Sequence, residues 1–495
     1  MIESHTYNIS LPSVYPVTGH TDFVGAGTTF VAISGSKQNG LDYVPVALEK
    51  GATTIVVQSG IEVGVELQNL IRRYGAKLEF VEDVRKSLSE MSAQALGYPA
   101  KKLKIVAITG TKGKTSTAYM AYHMLHSIGK KVALVSTVEK RIGAELVAVA
   151  LTTPLPDQLQ MFLHVCMQHD VEYVVLEVSA QALTLQRLEG IEFEAGVFTN
   201  FSHEHLEFYR DLEQYFLAKT LLLPKIKNQA NMFINMDDKH GAYLLEQNSA
   251  CSSFSLLEKK ATLHGCTHPY TSKEALGTMV HVMVGQQLYD VYLPLLGTFN
   301  VYNLLGVLGL MHGLGIDLSA LKYALKDLPY VPGRMEQYHL KNGARCFIDY
   351  AHNPSSFDAV LSTLRGLTSH LIVVFGAAGN RDAQKRPIMG ALAQKYCDIV
   401  ILTSDNPRDE NPVLIAKEVE KGFTPTPSFE FHKELNRVKA IELGYELTKQ
   451  GSILAILGKG RDEYQIVGGL TFPFKERSII RPFIIEQDSD EQKVI

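Results

Sequence analysis

At 495 residues the chain is longer than one ordinary domain, and its length predicts about three domains. Hydrophobic residues make up 46% and charged residues 20%, which is ordinary for a globular protein with a sizeable core in each domain. The formal net charge of −4 excludes the strongly basic surface of most dedicated nucleic-acid binders, so we expect no nucleic-acid partner.

Neither the cysteines nor the apolar stretches indicate secretion or a membrane. The five cysteines show no CxxC spacing, and we expect reduced, buried thiols instead of disulfides or a zinc site. The N-terminal stretch Met1–Pro16 lacks a basic start followed by an apolar run, so no signal peptide is predicted. The most apolar stretch, Leu293–Leu314, is interrupted by Asn300, Asn303 and His312. We therefore expect a cytoplasmic protein without membrane insertion.

Residues 1–98 have the pattern of a small mixed α/β domain. Strand-like runs at Thr29–Ile33 and Thr53–Val57 flank a helical pattern at Val44–Lys50. Gly51 follows at the position of a helix C-cap, where glycine adopts the left-handed conformation easily.

A second domain, residues 99–330, is predicted to contain a parallel α/β sheet. Its first residues, Pro99–Leu103, are basic and are expected to form an exposed linker. The elements predicted after it are strand Ile105–Ile108, loop Gly110–Lys114, helix Thr115–Ile128, strands Lys131–Val135, Tyr173–Val178 and Ala195–Thr199, and a helix from Asn300 to about Leu314. Strand, glycine loop and helix in this order are typical of parallel α/β proteins.

A third domain, residues 331–495, repeats the alternation of strands and helices. Its predicted strands are Arg345–Asp349, Leu371–Gly376, Asp398–Ser404 and Ser452–Leu457. This pattern predicts a Rossmann-like domain, so the fold class is α/β in three domains.

The segment Gly110–Ser116, Gly-Thr-Lys-Gly-Lys-Thr-Ser, predicts a phosphate-binding loop. Glycines let the backbone wrap phosphate oxygens, and the following helix N-terminus favours negative charge. Lys114 would neutralise the β- and γ-phosphates, and the Thr115 hydroxyl would bind magnesium. The alternative is a plain glycine turn without a ligand. The sequence Gly-Lys-Thr between a predicted strand and a predicted helix argues against that alternative. The loop is shorter than the common GxxxxGK[ST] form, which points away from generic kinases and GTPases.

Three further candidates are ambiguous from the residues alone. Glu177 ends a predicted parallel strand, where it can hold magnesium beside the phosphate loop or lie on the surface. His205 lies in a short His-Glu-His cluster, and an isolated histidine is more often a core or surface residue than a ligand. Lys219 lies in the apolar helical pattern Tyr215–Leu223 and is expected to extend its amine to solvent.

A series of short motifs resembles the Mur ligase family. They are Gly110–Ser116, Thr152-Thr153-Pro154, Leu176–Leu183, Phe198–Leu206, Ala218-Lys219, Asn235–Asp238, Leu296–Asn303, Val331–Glu336, Asp349–Pro354 and Gly376–Gly390. They occur in the family's order, and the resemblance covers about residues 100–470. Within the family they are most similar to the E-type, tripeptide-forming branch.

The resemblance implies an ATP-dependent ligase with a pair of magnesium ions. The catalytic residues would be Lys114, Glu177, His205 and Lys219. Magnesium would be held by Thr115, Glu177, His205 and Lys219, the last as an N-carboxylated (carbamylated) side chain. ATP binding is implied for Gly110, Thr111, Lys112, Gly113, Lys114, Thr115, Ser116, Asn300, Asn303, Arg334 and Asp349.

The resemblance also implies two small-molecule substrates in peptidoglycan precursor synthesis. The donor would be UDP-N-acetylmuramoyl-L-alanyl-D-glutamate, bound by residues 1–98 and by Thr21, Thr152, Thr153, Ser179 and Arg187. The acceptor would be meso-2,6-diaminopimelate, bound by Arg381, Asp405, Asn406, Pro407, Arg408, Gly458 and Asp462 of the C-terminal domain. Its distal carboxylate, which lysine lacks, suits bidentate binding by an arginine. We expect a monomer.

Departures from the family pattern leave alternatives open. Gly458-Lys-Gly is followed by Arg461-Asp462 instead of histidine and glutamate, Leu185 replaces a glutamine, and His20–Asp22 replaces Asp-Ser-Arg. Ala180-Gln181 also replaces the usual Ser-His. A paralogue with the same chemistry, using L-lysine, another amine or another acid, is the first alternative.

Other interpretations fit the sequence less well. A folylpolyglutamate synthetase would lack the Asp405–Arg408 motif, and a cyanophycin synthetase would need an added N-terminal ligase domain. A catalytically silent binding protein is disfavoured because Lys114, Glu177, His205 and Lys219 are all present.

Overall fold

The computed structural model describes residues 11–35, 38–143, 145–147, 151–202, 208–271, 276–322, 324–328, 330–424 and 429–485, with the backbone alone at 269–271 and 276. The chain forms two compact units: one contains most of the residues up to Lys326, and the other contains most of those from Asp327 onward. Within the described residues no helix is long and apolar enough to cross a membrane.

The described strands, numbered in chain order, belong to four separate sheets. They are β1 Val17–Thr18, β2 Thr29–Val31, β3 Thr54–Gln58, β4 Lys77–Val81, β5 Lys104–Thr109, β6 Val132–Val135, β7 Lys140–Ile142, β8 Glu145–Val147, β9 Tyr173–Glu177, β10 Ala195–Phe198, β11 Met232–Asn235, β12 Ser252–Ser255, β13 Leu263–Thr271, β14 Leu276–Val284, β15 Gln287–Leu293, β16 Glu336–His339, β17 Arg345–Asp349, β18 Leu371–Phe375, β19 Ile399–Leu402, β20 Glu430–Lys433, β21 Ile453–Leu457, β22 Tyr464–Val467 and β23 Leu470–Pro473.

The described α-helices connect these strands and cover the faces of the larger sheets. They are α1 Val44–Glu49, α2 Val65–Arg73, α3 Val84–Ala95, α4 Lys114–Ser127, α5 Pro156–Gln168, α6 Ala180–Thr184, α7 Leu212–Thr220, α8 Lys239–Gln247, α9 Thr298–Gly313, α10 Pro354–Arg365, α11 Lys385–Tyr396, α12 Pro412–Glu420, α13 Arg437–Glu446 and α14 Glu476–Ile480.

The first sheet is parallel, in the order β1-β2-β3-β4, and both of its faces are buried. Phe30 and Ile55 pack against α1 and α2, whereas Val31 and Val56 pack against α3. At the end of β1, the Thr18 hydroxyl donates to the Asp157 carboxylate at the start of α5 over 2.5 Å. This buried hydrogen bond ties the first sheet to the helices of the second.

The second sheet carries the predicted phosphate loop and has the order β15-β14-β13-β12-β11-β10-β5-β9-β6-β7-β8. Strands β11, β10, β5, β9 and β6 run parallel, while β7 and β8 continue the sheet antiparallel. Central strands such as Lys104–Thr109 and Tyr173–Glu177 are apolar runs because helices bury both of their faces. Their carboxyl ends therefore meet at one edge, beside the N-terminus of α4.

The second unit contains a six-stranded sheet in the order β16-β17-β21-β18-β19-β20. All of its neighbouring strands are parallel except β16, which pairs antiparallel with β17. Helices α10, α11 and α12 pack on one face, and α13 and α14 pack on the other. This is the predicted Rossmann-like arrangement.

The predicted α/β class is confirmed, and most predicted strands and helices agree with the observed ones to within about two residues at each end. The helical pattern Tyr215–Leu223 is off by three residues, because the observed helix is Leu212–Thr220. The boundaries of three domains stay a prediction. The prediction that Pro99–Leu103 forms an exposed linker is wrong in part. Pro99 and Ala100 are buried in a short 3-10 helix, whereas Lys101 and Lys102 are exposed.

The expectation that all five thiols are buried is also wrong. All are free, but the thiol of Cys251 is only partly buried and that of Cys266 is exposed. Cys266 lies on β13, at a position that neither the spacing nor the composition distinguishes from a core position.

The second unit encloses an ion pair between the fully buried side chains of Arg437 and Glu476, 2.5 Å apart. Arg437 also donates to the backbone carbonyls of Leu457 and Ser404, so one guanidinium joins α13 and α14 to the ends of two strands. Burial raises the pKa of Glu476, and Arg437 partly opposes that rise.

Glu476→Ala is expected to destabilise the second unit strongly, since it leaves the buried Arg437 guanidinium without a counter-charge. Removing one partner of a buried pair costs about 3–5 kcal/mol of unfolding free energy. The control Glu420→Ala breaks a partly exposed pair with Lys433 and should cost less than about 1 kcal/mol. Thermal and urea unfolding would measure both, and equal small losses would contradict the expectation.

Candidate active site

The phosphate loop lies between the end of β5 and the start of α4, as predicted. Gly110 and Gly113 have φ values of 140° and 82°, which an L side chain rarely adopts. A Cβ on Gly110 would collide with the Thr199 hydroxyl, and one on Gly113 would collide with the Asn303 side chain. The loop is therefore a tightly enclosed glycine turn that opens a helix, which is the geometry of an anion-binding site.

A second segment, the residues after β10, holds the loop in shape. The Lys112 N–H donates to the Asn200 side-chain oxygen over 2.9 Å, and the Asn200 amide donates back to the Lys112 carbonyl over 3.1 Å. The Thr199 hydroxyl donates to the same carbonyl over 2.6 Å. The backbone of the loop is thus positioned before any ligand binds.

Two lysine amines converge on the carbonyl of Gly110. Lys114 donates to it over 3.0 Å and to the Thr111 carbonyl over 3.0 Å. Lys219 on α7 donates to it over 2.7 Å and lies over the Tyr215 ring. The Lys219 side chain is only 1% exposed, so the expectation that it extends to solvent is wrong. Its helix faces the loop, which the pattern of apolar residues did not reveal.

Glu177, at the end of β9, is completely buried and is the centre of a hydrogen-bond network. Its carboxylate accepts from the Thr115 hydroxyl over 3.2 Å. It also accepts from the backbone N–H and the hydroxyl of Thr137, each over 2.9 Å. Glu177 is therefore a carboxylate held against the phosphate loop, and the alternative of a surface residue is wrong.

The residues expected to bind the donor lie together on the other side of Glu177. The Thr153 hydroxyl donates to the Glu177 carbonyl over 2.8 Å, and the Ser179 N–H donates to the Thr153 hydroxyl over 3.1 Å. The Arg187 guanidinium donates to the Thr153 carbonyl over 2.9 Å. Thr152 joins through its hydroxyl, whose oxygen lies 3.0 Å from that of Thr137, within hydrogen-bond distance. We call Thr152, Thr153, Ser179 and Arg187 the donor cluster.

Thr21 does not join this group. It lies in the 3-10 turn Thr21–Phe23, and its carbonyl accepts from the Lys50 amine over 2.8 Å. None of its hydrogen bonds in the described structure involves Thr152, Thr153 or Glu177.

The set of ligand atoms beside the loop suits magnesium in part. The Thr115 hydroxyl and the Glu177 carboxylate are hard oxygen ligands at the phosphate loop. No group of three His, Cys, Asp or Glu side chains able to hold a metal occurs among the described residues. His205 lies outside those residues. An uncharged or cationic Lys219 adds no ligand for magnesium, whereas a carbamate on Lys219 would add anionic oxygens.

In the second unit, two of the predicted nucleotide residues, Arg334 and Asp349, lie at the turn after β17. The Asp349 carboxylate accepts from the N–H groups of Met335 and Ala351 over 2.8 and 2.7 Å. The Arg334 guanidinium lies over the Tyr350 ring at 4.9 Å. Asn300, in the same unit, donates its amide to the Leu296 carbonyl over 2.8 Å, whereas Asn303 packs against Gly113 of the first unit.

The Asp405–Arg408 segment forms a loop that is held in place by hydrogen bonds to the side chain of Asn406. The Asn406 side-chain oxygen accepts from the buried Lys459 amine over 2.8 Å and from the Ile466 N–H over 2.9 Å. Arg408 has a φ of 52° and donates to the Gly379 carbonyl over 2.7 Å, while Arg381 is exposed. The loop thus presents Arg408 from a rigid base.

The Gly458–Asp462 turn lies against this loop. A Cβ on Gly458 would meet the Asp405 carboxylate, and Lys459 lies 3.5 Å from that carboxylate. Burial lowers the pKa of Lys459, and Asp405 partly opposes this. Burial raises the pKa of Asp462, and the charges of Arg461 and Lys459 oppose that rise.

Reasoning from the sequence missed Thr137, Asn200 and Lys459. Thr137 follows β6 at the same sheet edge as Glu177, so strand order would have indicated it. Lys459 lies between the two glycines of the Gly458–Asp462 turn, and a lysine at such a position is a recognisable signal. Asn200 follows the strand next to the loop.

Comparisons with known proteins agree with this geometry. The "Mur ligase middle domain" model matches residues 108–311, and the "Mur ligase, glutamate ligase domain" model matches residues 333–460. The chain is 35% identical to the UDP-N-acetylmuramoyl-L-alanyl-D-glutamate–2,6-diaminopimelate ligase of Clostridium botulinum over 94% of this chain and 93% of that protein.

Two solved structures are similar over most of the chain. One is a UDP-N-acetylmuramoyl-L-alanyl-D-glutamate–2,6-diaminopimelate ligase, 30% identical, with a TM-score of 0.69 over 96% of this chain and 95% of that one. The other is the MurF ligase from Thermotoga maritima in complex with ADP, 18% identical, with a TM-score of 0.64 over 92% and 95%. The second likeness shows the fold alone. By its two matched domains and its identity to a relative over nearly its whole length, this chain belongs to the Mur ligase family.

Proposed function

We propose that the chain joins meso-2,6-diaminopimelate to the D-glutamyl γ-carboxylate of UDP-N-acetylmuramoyl-L-alanyl-D-glutamate, with ATP as the source of energy. One observation carries the proposal: Glu177 is shared by the phosphate loop and the donor cluster. Its carboxylate accepts from Thr115 and its carbonyl accepts from Thr153. A γ-phosphate on the loop and a carboxylate on the cluster would therefore be neighbours, as acyl-phosphate formation requires.

In the first step a γ-carboxylate oxygen of the donor attacks the γ-phosphorus of ATP, and ADP leaves. Lys114 neutralises charge on the transferred group, and the N–H groups at the start of α4 orient its oxygens. Thr153, Ser179 and Arg187 hold the donor. In the second step the acceptor amine attacks the acyl carbon, loses a proton, and phosphate leaves as the amide forms. No residue of the chain needs to act as a covalent nucleophile.

Magnesium, when bound by Thr115, Glu177, His205 and a carbamylated Lys219, would supply charge stabilisation to the transferred phosphoryl group. The burial of Lys219 supports the carbamate. Both amines donate to the Gly110 carbonyl, and Lys219 is 1% exposed, so a carbamate on Lys219 would be an anion held close to the Lys114 ammonium.

Arg408 supports diaminopimelate as the acceptor. Its loop is held by Lys459 and Asn406, so the guanidinium is in place to bind a distal carboxylate. Asp462 would take the distal ammonium. Ligation also requires the acceptor amine to come within bonding distance of the acyl carbon.

A second candidate is a paralogue that uses L-lysine. Asp462 favours it, because aspartate has one methylene less reach than the glutamate expected there. An enlarged space at that position would admit an acceptor in a different pose.

The acceptor is tested by phosphate release with ATP, magnesium and the donor, comparing meso-diaminopimelate with L-lysine. We expect turnover with diaminopimelate alone, because lysine has no distal carboxylate for the Arg408 guanidinium to bind. Turnover with lysine would contradict the acceptor and keep the ligase, whereas no turnover with either would contradict the donor.

Arg408→Ala should raise the KM for diaminopimelate roughly ten- to hundredfold, which corresponds to the loss of a charge-assisted hydrogen bond. The KM values for ATP and for the donor should stay unchanged. Lys417→Ala, which removes an exposed cation from α12, is the control. Equal effects of the two substitutions would argue against carboxylate recognition by Arg408.

Lys219→Ala should abolish most of the activity and regain it in the presence of short-chain carboxylic acids, because these replace the carbamate anion. The matched Lys225→Ala removes a lysine that pairs with Glu189 outside the loop and should need no rescue. Full activity of Lys219→Ala without additives would rule out the carbamate.

A further inference from the structure

Lys140, on the antiparallel strand β7, is buried in an unusual setting. It is 5% exposed and pairs with Val135 of β6 on one side and Val147 of β8 on the other. Residues directly opposite each other in antiparallel strands share a face of the sheet. Val135 and Val147 belong to the apolar cluster beneath α5, so the Lys140 side chain lies on that apolar face.

Lys140 has no counter-charge within the described part of the chain, where no hydrogen bond or ion pair to its amine occurs. Its neighbour Arg141, equally buried, lies 2.8 Å from Glu139. Burial lowers the pKa of Lys140, and burial is the only cause of that shift found among the described residues. Lys459 differs, because Asp405 and Asn406 surround its amine.

A buried ammonium without a partner destabilises a protein by several kcal/mol. A ligand that supplied the missing negative charge would remove this penalty. The residues near Lys140 therefore indicate which ligand that is.

The strand order places Lys140 at the same edge of the sheet as Glu177 and the donor cluster. It lies opposite Val135, which in turn pairs with Leu176 of β9, the residue before Glu177. Two strand spacings put its backbone roughly 10 Å from that of Leu176. Thr137, three residues earlier in the chain, bonds both Glu177 and Thr152. Lys140 and the donor cluster therefore share one sheet edge.

We propose that Lys140 is an anion-binding residue of the donor site, where a carboxylate or phosphate oxygen of the donor supplies its counter-charge. This rests on the proposed function, because it takes the donor to be the UDP-linked muramoyl dipeptide. Both the diphosphate and the glutamyl carboxylates of that molecule have the required chemistry.

The test is Lys140→Met, a substitution of similar length without the charge. The free variant should melt a few degrees higher than the wild type, because the unpaired buried ammonium is gone. Its KM for the donor should rise roughly tenfold or more, as for a lost charge-assisted hydrogen bond, with the KM values for ATP and the acceptor unchanged. A purely structural lysine would give the opposite pair of results: a lower melting temperature and an unchanged donor KM.

Two further variants keep the test decisive. Lys140→Arg retains the charge and should keep the donor KM within about threefold of the wild type, even if Lys140→Met folds poorly. Lys131→Met removes an exposed lysine of the same unit, outside residues 1–98 and paired only with the exposed Asp170, and should change neither the melting temperature nor the donor KM. A donor KM raised as much by Lys140→Arg as by Lys140→Met would overturn the assignment.

Binding of UDP-N-acetylglucosamine, which has the diphosphate but no peptide, separates the two sources of charge. Weaker binding of both ligands by Lys140→Met assigns Lys140 to the diphosphate, and weaker binding of the full donor alone assigns it to a carboxylate. An active wild type with unchanged donor affinity in Lys140→Met overturns this inference alone. A wild type that does not turn over the donor overturns the proposed function instead.

Discussion

The arrangement of the candidate site in the first unit depends on one buried carboxylate, that of Glu177. A charge taken completely out of water must be hydrogen-bonded, and the chain supplies Thr115 from the phosphate loop and Thr137 from the neighbouring strand. Because the carbonyl of the same residue accepts from Thr153, Glu177 contacts both the proposed phosphate loop and the proposed donor cluster. Any change in strand order or register around β9 would separate them.

The second unit buries cations, and these also need partners inside the protein. Lys459 and Arg437 are both completely buried, and each is satisfied by a carboxylate and by backbone or amide oxygens. Lys459 fixes Asn406, and through it the loop that carries Arg408. The rigidity of this base, more than the number of arginines, would allow one carboxylate to be recognised with a defined geometry.

Positive charge is concentrated at the proposed phosphate and donor sites. Lys114 and Lys219 share the Gly110 carbonyl, and Lys140 is buried without a described partner. Anionic substrates bound at the proposed sites would add the negative charge that complements these cations. Preorganised charge of this type stabilises the developing charge of a transferred phosphoryl group without reorganisation during the reaction.

The sequence by itself, acting through local chemistry, determined the α/β class and most of the elements around Gly110 and Glu177. The glycine loop, the buried apolar strands and the helix starts follow from conformational preference and periodicity, which act over a few residues. Only the tertiary structure decided where individual side chains point and how deeply they are buried. The apolar pattern predicted an exposed amine for Lys219, but α7 packs against the phosphate loop and buries it. The partners of Thr137, Asn200 and Lys459 were decided only where distant segments meet. The physical reason is that desolvation and hydrogen-bond satisfaction depend on neighbours in space, whereas helix and strand formation depend largely on neighbours in the chain.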